Sequence, residues 1–332
     1  MKIVFFSNAK SYGGGERYLT TLLPLLSKKG HEVSLIAPTS KIFGGLATYI
    51  GKYRSNYYDV AVFNGNGALY TWGPIVSKDN IKCVFIMHSS IYDAQEQFYK
   101  RLLRPLVLKW HMKYVDLLIR VSKSCLPDTF HQNMNTIYNG VPLGTKAKSA
   151  RSDSGPLKLA IVGMLNSNKN QALAICSLCD LPENITLSIM GSGPEKELLE
   201  DFVSRKSLTD RVTFLGFVND PVQILSQCHA LLMPSIIEAL PFAALEAMSI
   251  GLPVISSKTG GLTELIYDGV NGLLFNVNDK QELINKIMAI YRDEDWRKQL
   301  AAAAWETISI KYSANHMAQE FEDVLLKNFA EP

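Results

Sequence analysis

The sequence lacks any long apolar run. No stretch of its 332 residues approaches the roughly 20 consecutive apolar residues that a membrane-spanning helix needs. The first residues, Met1 to Ser7, form a short apolar segment that ends at once in polar residues. This pattern is typical of a buried strand and not of a signal peptide. We therefore expect a cytoplasmic globular protein.

Cysteine is scarce, and its spacing excludes a disulfide framework. The chain has 5 cysteines, an odd and scattered set. Cys176 and Cys179 form a lone C-x-x-C within the apolar segment Gln171–Asp180, so we predict that they pack in a helical core. No H-E-x-x-H motif is present, and the 6 histidines show no ligand spacing. The acidic run Asp293–Asp295 is predicted to start a helix, so no metal site is expected.

The signature of dinucleotide-binding enzymes is also missing. The first glycine-rich loop is Gly13-Gly14-Gly15 and not G-x-G-x-x-G. The second predicted strand ends in Leu35–Pro38, without the acidic residue that would bind a ribose. These absences argue against an NAD-dependent oxidoreductase.

Net charge is small, but its distribution is uneven. Residues 1–150 hold 19 lysine and arginine residues against 8 acidic ones, a net charge of +11. Residues 151–332 hold 15 against 23, a net charge of −8. The basic half predicts an anionic partner for the first part of the chain.

Two series of strands and helices follow each other along the chain. The first begins with strand Lys2–Phe6, helix Glu16–Lys29 and strand Glu32–Ala37, and the second with strand Leu157–Gly163. Residues 146–156 are polar and small, which is typical of a linker. We predict an α/β protein with two doubly wound, Rossmann-like domains facing each other across a cleft. The predicted domains are residues 1–148 and 149–314, with a terminal helix, about 315–332, packing back on the first.

The segment Pro234–Met248 carries the most informative residues. Pro241 suits the first turn of a helix. Glu238 then lies in the loop before that helix, and Glu246 one to two turns inside it. Backbone N–H groups near Phe242–Leu245 could bind a phosphate, and a carboxylate further along could bind the two hydroxyls of a ribose. By themselves the two glutamates are equally consistent with an ordinary solvated helix.

The residues that follow resemble a known family. Gly251-Leu252-Pro253-Val254-Ile255, Gly260-Gly261-Leu262-Thr263-Glu264 and Asp268-Gly269-Val270-Asn271-Gly272 come after Glu238-x7-Glu246, in order. This set resembles the retaining GT-B glycosyltransferases of family 4, the group 1 type. The resemblance extends upstream through Val162–Leu165, Met190–Pro194 and Phe214–Val218, and more weakly into the first half.

The resemblance implies a fold, an activity and site residues. It implies a GT-B fold and retaining transfer from a UDP- or GDP-sugar to a glycan or lipid-linked acceptor, in bacterial surface polysaccharide or lipopolysaccharide synthesis. No metal or cofactor is needed. The implied catalytic residues are Glu238, His88 and Lys169. The implied donor-binding residues are Glu246, Gly14, Gly15, Gly163, Asn166, Gly191, Val218, Phe242, Ala243 and Ala244. The implied acceptor-binding residues are Gly13, Arg17 and Asn139.

Within that set, the resemblance assigns separate tasks. Lys169 would neutralise the diphosphate, Glu246 would hold the ribose, and Glu238 would lie by the transferred sugar. Backbone N–H groups at Gly14, Gly15, Ala243 and Ala244 would help Lys169, and Val218 would contact the base through its backbone. His88 would contact the donor sugar.

One departure from the family pattern leaves two alternatives open. The family usually has arginine after the glycine that corresponds to Gly163, whereas Met164 and Leu165 follow here. A cation such as Lys258 could compensate, or the chain could be a catalytically silent nucleotide- or glycan-binding partner of another transferase. A glycan phosphorylase, which shares the fold, would require a lysine that binds pyridoxal phosphate.

Residues 97–114 mix five cations with leucines and aromatics. Such a basic amphipathic stretch is typical of a membrane-surface anchor, and Pro105 is expected to divide it into two segments. We predict contact with an anionic membrane, on the cytoplasmic face of the inner membrane. The alternative is a surface helix whose aromatics face the core. No nucleic-acid recognition motif accompanies the charge.

Overall fold

The chain divides into two units. In the computed structural model of the protein, the described residues are 1–38, 43, 46, 48–91, 98–145 and 155–329, with the backbone alone for 98–102. One unit comprises Met1–Gly140 and Tyr312–Pro332, and the other Val141–Lys311. Most of the predicted linker, residues 146–156, and Gln97 lie outside the described residues.

The first unit is built on a parallel sheet of six strands. They are β1 (Lys2–Phe6), β2 (Glu32–Ile36), β3 (Val60–Asn64), β4 (Lys82–Met87), β5 (Leu117–Arg120) and β6 (Met134–Thr136). Their order is β2-β1-β3-β4-β5-β6. The central strands are buried along nearly their whole length because helices cover both faces of such a sheet. The strand order reverses between β1 and β3.

Four helices of the first unit are described. They are α1 (Gly14–Lys28), α2 (Asn66–Val76), α3 (Phe98–His111) and, from the end of the chain, α11 (Ala314–Phe329). Phe321 of α11 stacks on Phe5 of β1 with ring centroids 6.0 Å apart. Glu322 accepts hydrogen bonds from Lys29 and His31, both at 2.8 Å. The last helix is therefore a packed part of this unit.

The second unit holds another parallel sheet of six strands. They are β7 (Leu157–Val162), β8 (Ile185–Met190), β9 (Val212–Gly216), β10 (Ala230–Met233), β11 (Val254–Ser257) and β12 (Leu273–Phe275). Their order is β12-β11-β10-β7-β8-β9. This is the doubly wound order of Rossmann folds, which reverses between β7 and β10.

Seven helices are described in the second unit. They are α4 (Gln171–Leu178), α5 (Lys196–Arg205), α6 (Pro221–Leu225), α7 (Phe242–Ser249), α8 (Leu262–Leu265), α9 (Lys280–Arg292) and α10 (Glu294–Lys311). Asp279 accepts a hydrogen bond from the Glu282 N–H at 2.9 Å and so caps α9. Asp293 accepts one from the Trp296 N–H at 2.8 Å, which confirms that the acidic run begins a helix. Apolar residues of α4, α5, α9 and α10 pack with the strands in one cluster.

Several sequence expectations are corrected. Pro105 lies inside a continuous α3 and does not divide it. Pro241 is the residue before α7 and not its first helical residue, because its backbone is extended (φ −74°, ψ 131°). Cys179 is exposed and Cys176 only partly buried, because α4 ends at Leu178 and leaves both near its C-terminal end.

Candidate functional site

In each unit, several of the predicted site residues lie where the strand order reverses. Ligands of doubly wound sheets bind outside the carboxyl ends of the strands at this point. In the second unit, the loops after β7 and β10 meet there. In the first unit, residues that follow β1, β3 and β4 meet in the same way.

The loops after β7 and β8 are bound together through their backbones. The Gly163 N–H donates to the Met190 carbonyl at 2.9 Å, and the Leu165 N–H to the Ser192 carbonyl at 3.0 Å. A Cβ atom on Gly191 would lie 1.8 Å from the Gly163 carbonyl oxygen, and the residue has φ +148°. Only glycine fits this close approach. The predicted residues Gly163 and Gly191 thus allow the loops after β7 and β8 to approach each other closely.

Lys169 and Glu238 form an ion pair at the switch point. The Lys169 Nζ donates to Glu238 Oε1, and the two side chains are 21% and 10% exposed. A Cβ atom on Gly163 would lie 3.3 Å from Lys169 Cε, so the lysine chain runs directly over that glycine. A cation and a carboxylate are therefore held side by side, largely out of water.

Asn168, which the sequence interpretation missed, joins the two loops that carry this pair. Its side chain donates to the Ile237 carbonyl at 2.9 Å and accepts from the Ile237 N–H at 3.0 Å. Its carbonyl accepts from the Ile236 N–H at 2.8 Å. The three bonds fix the backbone before Glu238 against the backbone before Lys169. The only sequence signal was the asparagine-rich run around Lys169, which is typical of a hydrogen-bonded turn.

Helix α7 begins at Phe242, four residues after Glu238, and carries Glu246. No side chain caps its N-terminus, and the first N–H groups of a helix lack intrahelical acceptors. Of the predicted residues there, Phe242 and Ala243 are partly exposed and Ala244 is buried. Glu246 is the fifth residue of the helix and is 7% exposed. The helix thus offers N–H donors to an anion and a carboxylate one turn later.

Other predicted donor residues lie around this group. Asn166 accepts a hydrogen bond from the Lys169 N–H at 3.0 Å through its side chain. Val218 follows β9 and is partly buried. Met164 is 57% exposed, whereas Leu165 belongs to the apolar core at 1%. Of the two residues that stand where the family has arginine, Met164 is therefore the one whose side chain reaches solvent.

Lys258 does not stand free to replace the missing arginine. Its Nζ lies 3.6 Å from Glu282 and donates to the Asn276 side chain at 3.2 Å. An exposed pair of this kind is weak and screened, but it directs the ammonium group toward α9. Among the described residues, Lys169 is therefore the cation that pairs with Glu238 at the switch point between β7 and β10.

In the first unit, a histidine is clamped beside the start of α1. The His88 Nε2 lies 2.6 Å from the Asn64 side-chain oxygen, while the Asn64 amide nitrogen donates to the Gly15 carbonyl at 3.1 Å. Because the Asn64 amide nitrogen donates to Gly15, the Asn64 oxygen faces His88 and must accept a hydrogen bond. His88 therefore donates from Nε2, and its Nδ1 is the acceptor of the neutral ring. The buried Tyr18 ring meets His88 edge-on at 5.1 Å. Burial lowers the pKa of His88 to about 4, so it is neutral at pH 7.

The buried carboxylate of Glu16 holds the glycine loop Gly13–Gly15 through a hydrogen bond to its backbone. Glu16 accepts a hydrogen bond from the Gly13 N–H at 3.1 Å and one from Ser7 at 3.4 Å. Burial raises the pKa of Glu16, and these bonds oppose the rise. Gly14 and Gly15 form the first turn of α1. Asn64 and Glu16 were both missed, although Asn64 ends a strand at the switch point, where functional side chains are expected.

The predicted acceptor residues Gly13, Arg17 and Asn139 all belong to the first unit. Gly13 is exposed, and its carbonyl accepts from the Arg17 N–H at 2.9 Å. Asn139 is buried at 4%. Gly13 therefore lies just before α1 and bonds to Arg17 within that helix, whereas Asn139 lies in the segment that follows β6.

The described residues contain neither a membrane-spanning helix nor a cluster of metal ligands. None of the described helices combines the length and the apolar character that crossing a bilayer requires. No group of three or more histidine, cysteine, aspartate or glutamate side chains in this part of the chain is arranged to hold a metal ion.

Comparison with known proteins identifies the second unit. Residues 144–307 match the family model for glycosyl transferases group 1. An uncharacterized glycosyltransferase of Methanocaldococcus jannaschii is 30% identical over 170 residues, or 50% of this chain and 44% of that protein. A diphospho-undecaprenol-linked acetylgalactosaminyltransferase of Campylobacter jejuni is 25% identical over 90% of this chain and 92% of that protein. The chain spans about half or less of the length of three curated relatives: 44% and 52% of two Methanocaldococcus jannaschii proteins and 36% of a Bacillus anthracis protein.

Solved structures identify the fold. Anabaena HepE in complex with UDP superposes with a TM-score of 0.85 at 22% identity, covering 98% of this chain and 100% of that one. The two parallel sheets thus form the GT-B architecture predicted from the motifs. The matched residues 144–307 lie within the second unit and carry the glycosyl transferases group 1 family domain.

Proposed function

We propose that the protein is a retaining glycosyltransferase that moves a sugar from a nucleotide-diphosphate donor to a glycan or lipid-linked acceptor. The observation that carries the proposal is the Lys169–Glu238 pair beside the uncapped start of α7. A lysine and helix N–H groups at one point suit a diphosphate. A carboxylate a few ångströms away suits the sugar attached to it.

The chemistry requires a stabilised leaving group. The bond between the anomeric carbon and the β-phosphate oxygen breaks, and negative charge grows on the diphosphate. Lys169 and the N–H groups of Phe242, Ala243 and Ala244 would meet that charge as it develops, which is the kind of preorganised electrostatic stabilisation that lowers barriers most. A metal ion is not required for this step.

The anomeric configuration is retained if the acceptor hydroxyl attacks from the same face of the sugar ring that the leaving group departs from. Its oxygen forms the new bond to the anomeric carbon, and its proton passes to the departing phosphate oxygen. Glu238 would hold hydroxyls of the transferred sugar, and Glu246 those of the donor ribose. His88, neutral at pH 7, would accept a hydrogen bond from a sugar hydroxyl through Nδ1.

The acceptor would meet the first unit. Its glycine loop offers the exposed Gly13 and the neighbouring Arg17, with Asn139 as a further polar side chain. A glycan or a lipid-linked saccharide, as used in surface polysaccharide or lipopolysaccharide synthesis, supplies the hydroxyl. Relatives named for sugar transfer to an undecaprenol-linked saccharide and for colanic acid biosynthesis support this acceptor class, and the UDP complexes of HepE support the donor class.

The first test is a thermal-shift panel of UDP, GDP, ADP, CMP and their sugar conjugates, without added metal. A ligand that binds only the folded protein raises its melting temperature. We expect one diphosphate nucleotide to do so in the wild type and to do so much less in Glu246→Ala. Glu264→Ala, which also removes a helical glutamate of the second unit, is the matched control.

A second measurement separates binding from catalysis. The nucleotide sugar that binds is incubated with the protein, and release of the nucleotide is followed. Turnover that falls in Lys169→Ala and Glu238→Gln supports the enzyme. A nucleotide that binds but is never released from its sugar, with any acceptor saccharide tried, would instead favour a silent binding partner, which the absence of the arginine at Met164 already suggests as the second candidate.

A further inference from the structure

Helix α3 carries an exposed apolar stripe. Leu103, Leu106, Val107 and Trp110 are 54%, 64%, 41% and 59% exposed. Their spacing of three and four residues places them on one side of a helix, within an arc of about 100°. Single exposed apolar side chains are ordinary, but a contiguous row of this kind marks an interaction surface.

The opposite side of α3 already supplies the contacts that hold the helix on its unit. Leu108 is fully buried, and His111 and Met112 are 8% exposed. The Tyr70 and His111 rings lie 4.5 Å apart. The stripe is therefore not the face that α3 uses to pack on the sheet. The alternative stated from the sequence, in which the aromatics face the core, is wrong for Trp110.

Cations flank the stripe. Lys109 is exposed, and the Lys113 ammonium lies 4.0 Å from the centre of the Trp110 ring and 4.9 Å from that of Tyr114. Between Phe98 and Tyr114 the sequence holds five lysine and arginine residues and no acidic residue. The partner must therefore be apolar where it meets the stripe and anionic around it.

These features argue against two other partners for the stripe. Two copies of α3 placed face to face would pair their apolar stripes, but the flanking cations would repel with no acidic residue between Phe98 and Tyr114 to offset them. A nucleic acid would match the charge but would leave two leucines, a valine and an indole against phosphates and water. At 14 residues and 1.5 Å per residue, the helix is about 21 Å long, too short to span a bilayer but suited to lie in its surface.

We propose that α3 docks the protein on an anionic lipid bilayer. Leu103, Leu106, Val107 and Trp110 enter the boundary between headgroups and acyl chains, where tryptophan is favoured. Lys109 and Lys113 remain at the headgroup level and pair with anionic lipids. This surface binds whether or not the protein transfers a sugar, so its test is independent of the proposed activity.

The test is flotation of the full-length protein with vesicles of phosphatidylcholine, with or without phosphatidylglycerol. We expect binding to the mixed vesicles that weakens as salt is raised. Leu106→Ser together with Trp110→Ser should lower the partition coefficient roughly tenfold or more. Lys109→Gln and Lys113→Gln should each lower it by about fivefold on the anionic vesicles.

The matched control is Ile310→Ser, since Ile310 lies in the second unit and is 67% exposed. It should leave the partition coefficient unchanged. All these side chains are exposed, so the variants should melt like the wild type, and circular dichroism checks that they do. Equal binding to both vesicle types, or equal loss in the Ile310 variant, would overturn the proposal. So would a concentration-dependent dimer that Leu106→Ser abolishes, because the stripe would then be a protein interface.

Discussion

Replacing Asn168 by alanine removes both side-chain hydrogen bonds that join the loop after β7 to the loop after β10. They run to the N–H and the carbonyl of Ile237, at 3.0 and 2.9 Å. The backbone bond from the Ile236 N–H to the Asn168 carbonyl can persist, because it does not involve the side chain. The substitution thus loosens the loops without removing either charged group of the Lys169–Glu238 pair.

The size of the effect follows from these contacts. A hydrogen bond contributes about 1 kcal/mol, so the free energy of unfolding should fall by about 1–2 kcal/mol, the lower figure applying if water replaces the lost partners. The effect on turnover should be larger than this loss suggests. A shift of about 1 Å in a positioned group can cost on the order of 100-fold, so we expect kcat to fall by roughly 10- to 100-fold. The KM for the donor should change less, because in the proposed mechanism Lys169 acts mainly on charge that develops in the transition state.

Urea unfolding and donor turnover measure the two quantities. Asn184→Ala is the control, since Asn184 is exposed and accepts one surface hydrogen bond from Tyr291 at 3.1 Å. It should change neither quantity appreciably. A double-mutant cycle with Lys169→Ala then tests the reasoning. If Asn168 acts by positioning Lys169, Asn168→Ala should cost little turnover once the lysine is gone.

Two results would refute this account. One is a full loss of turnover from Asn168→Ala in the Lys169→Ala background, which would mean that the asparagine acts by another route. The other is a stability loss with unchanged kcat, which would mean that the loops keep their relation without the two bonds.

Three further predictions concern other described residues. Met164→Arg should tighten nucleotide-diphosphate binding by about five- to tenfold in titration calorimetry, because a charge-assisted hydrogen bond is worth about 1.5–3 kcal/mol and solvent at this exposed position weakens it; a similar gain in Met164→Gln would show that charge is not the cause. Gly191→Ala should destabilise the protein in urea by more than about 3 kcal/mol, since its Cβ would lie 1.8 Å from the Gly163 carbonyl. Gly269→Ala, where φ is +77° but no atom lies within 4 Å, should cost about 1–2 kcal/mol, and equal losses at the two glycines would contradict the steric argument. The pKa of His88 falls from 6.5 to about 4 on folding, so its contribution to stability is full above pH 6.5 and is lost as the pH falls toward 4. Relative to His88→Gln, the wild type should lose about 2 kcal/mol between pH 7 and pH 5, and parallel pH curves for the two proteins would argue against a desolvated imidazole.

The elements were predictable where the local pattern is strong. The alternation of short apolar runs with helical spacing located β1, α1, β2 and β7, because buried parallel strands are largely apolar and bounded by turn residues. The short strand β6 (Met134–Thr136) and helix α2 (Asn66–Val76) were not predicted. β6 has three residues, all partly exposed, and α2 contains Gly67, Gly73 and Pro74, so neither has a clear local signal.

The motifs also placed the principal charged residues in their elements. Glu238 lies in a loop and Glu246 in the following helix, because Pro241 and the apolar run after it define where that helix starts. The helical conformation at Pro105 was not predictable from the local sequence. Proline disfavours a helix locally, yet α3 runs through it because Leu108, His111 and Met112 pack on the rest of the unit.

Local patterns in the amino-acid sequence specify the two α/β series, the glycine loops, and the residue types available for a diphosphate and a ribose. Which of these residues meet depends on how the strands pack into sheets. Lys169 and Glu238 are 69 positions apart and become neighbours because the strand order reverses between β7 and β10. Asn64 and His88, 24 positions apart, come together because β3 and β4 are adjacent parallel strands whose carboxyl ends lie at the same edge of the sheet. The sheet order and the burial of each side chain depend on the packing of the whole unit, and no local pattern encodes them.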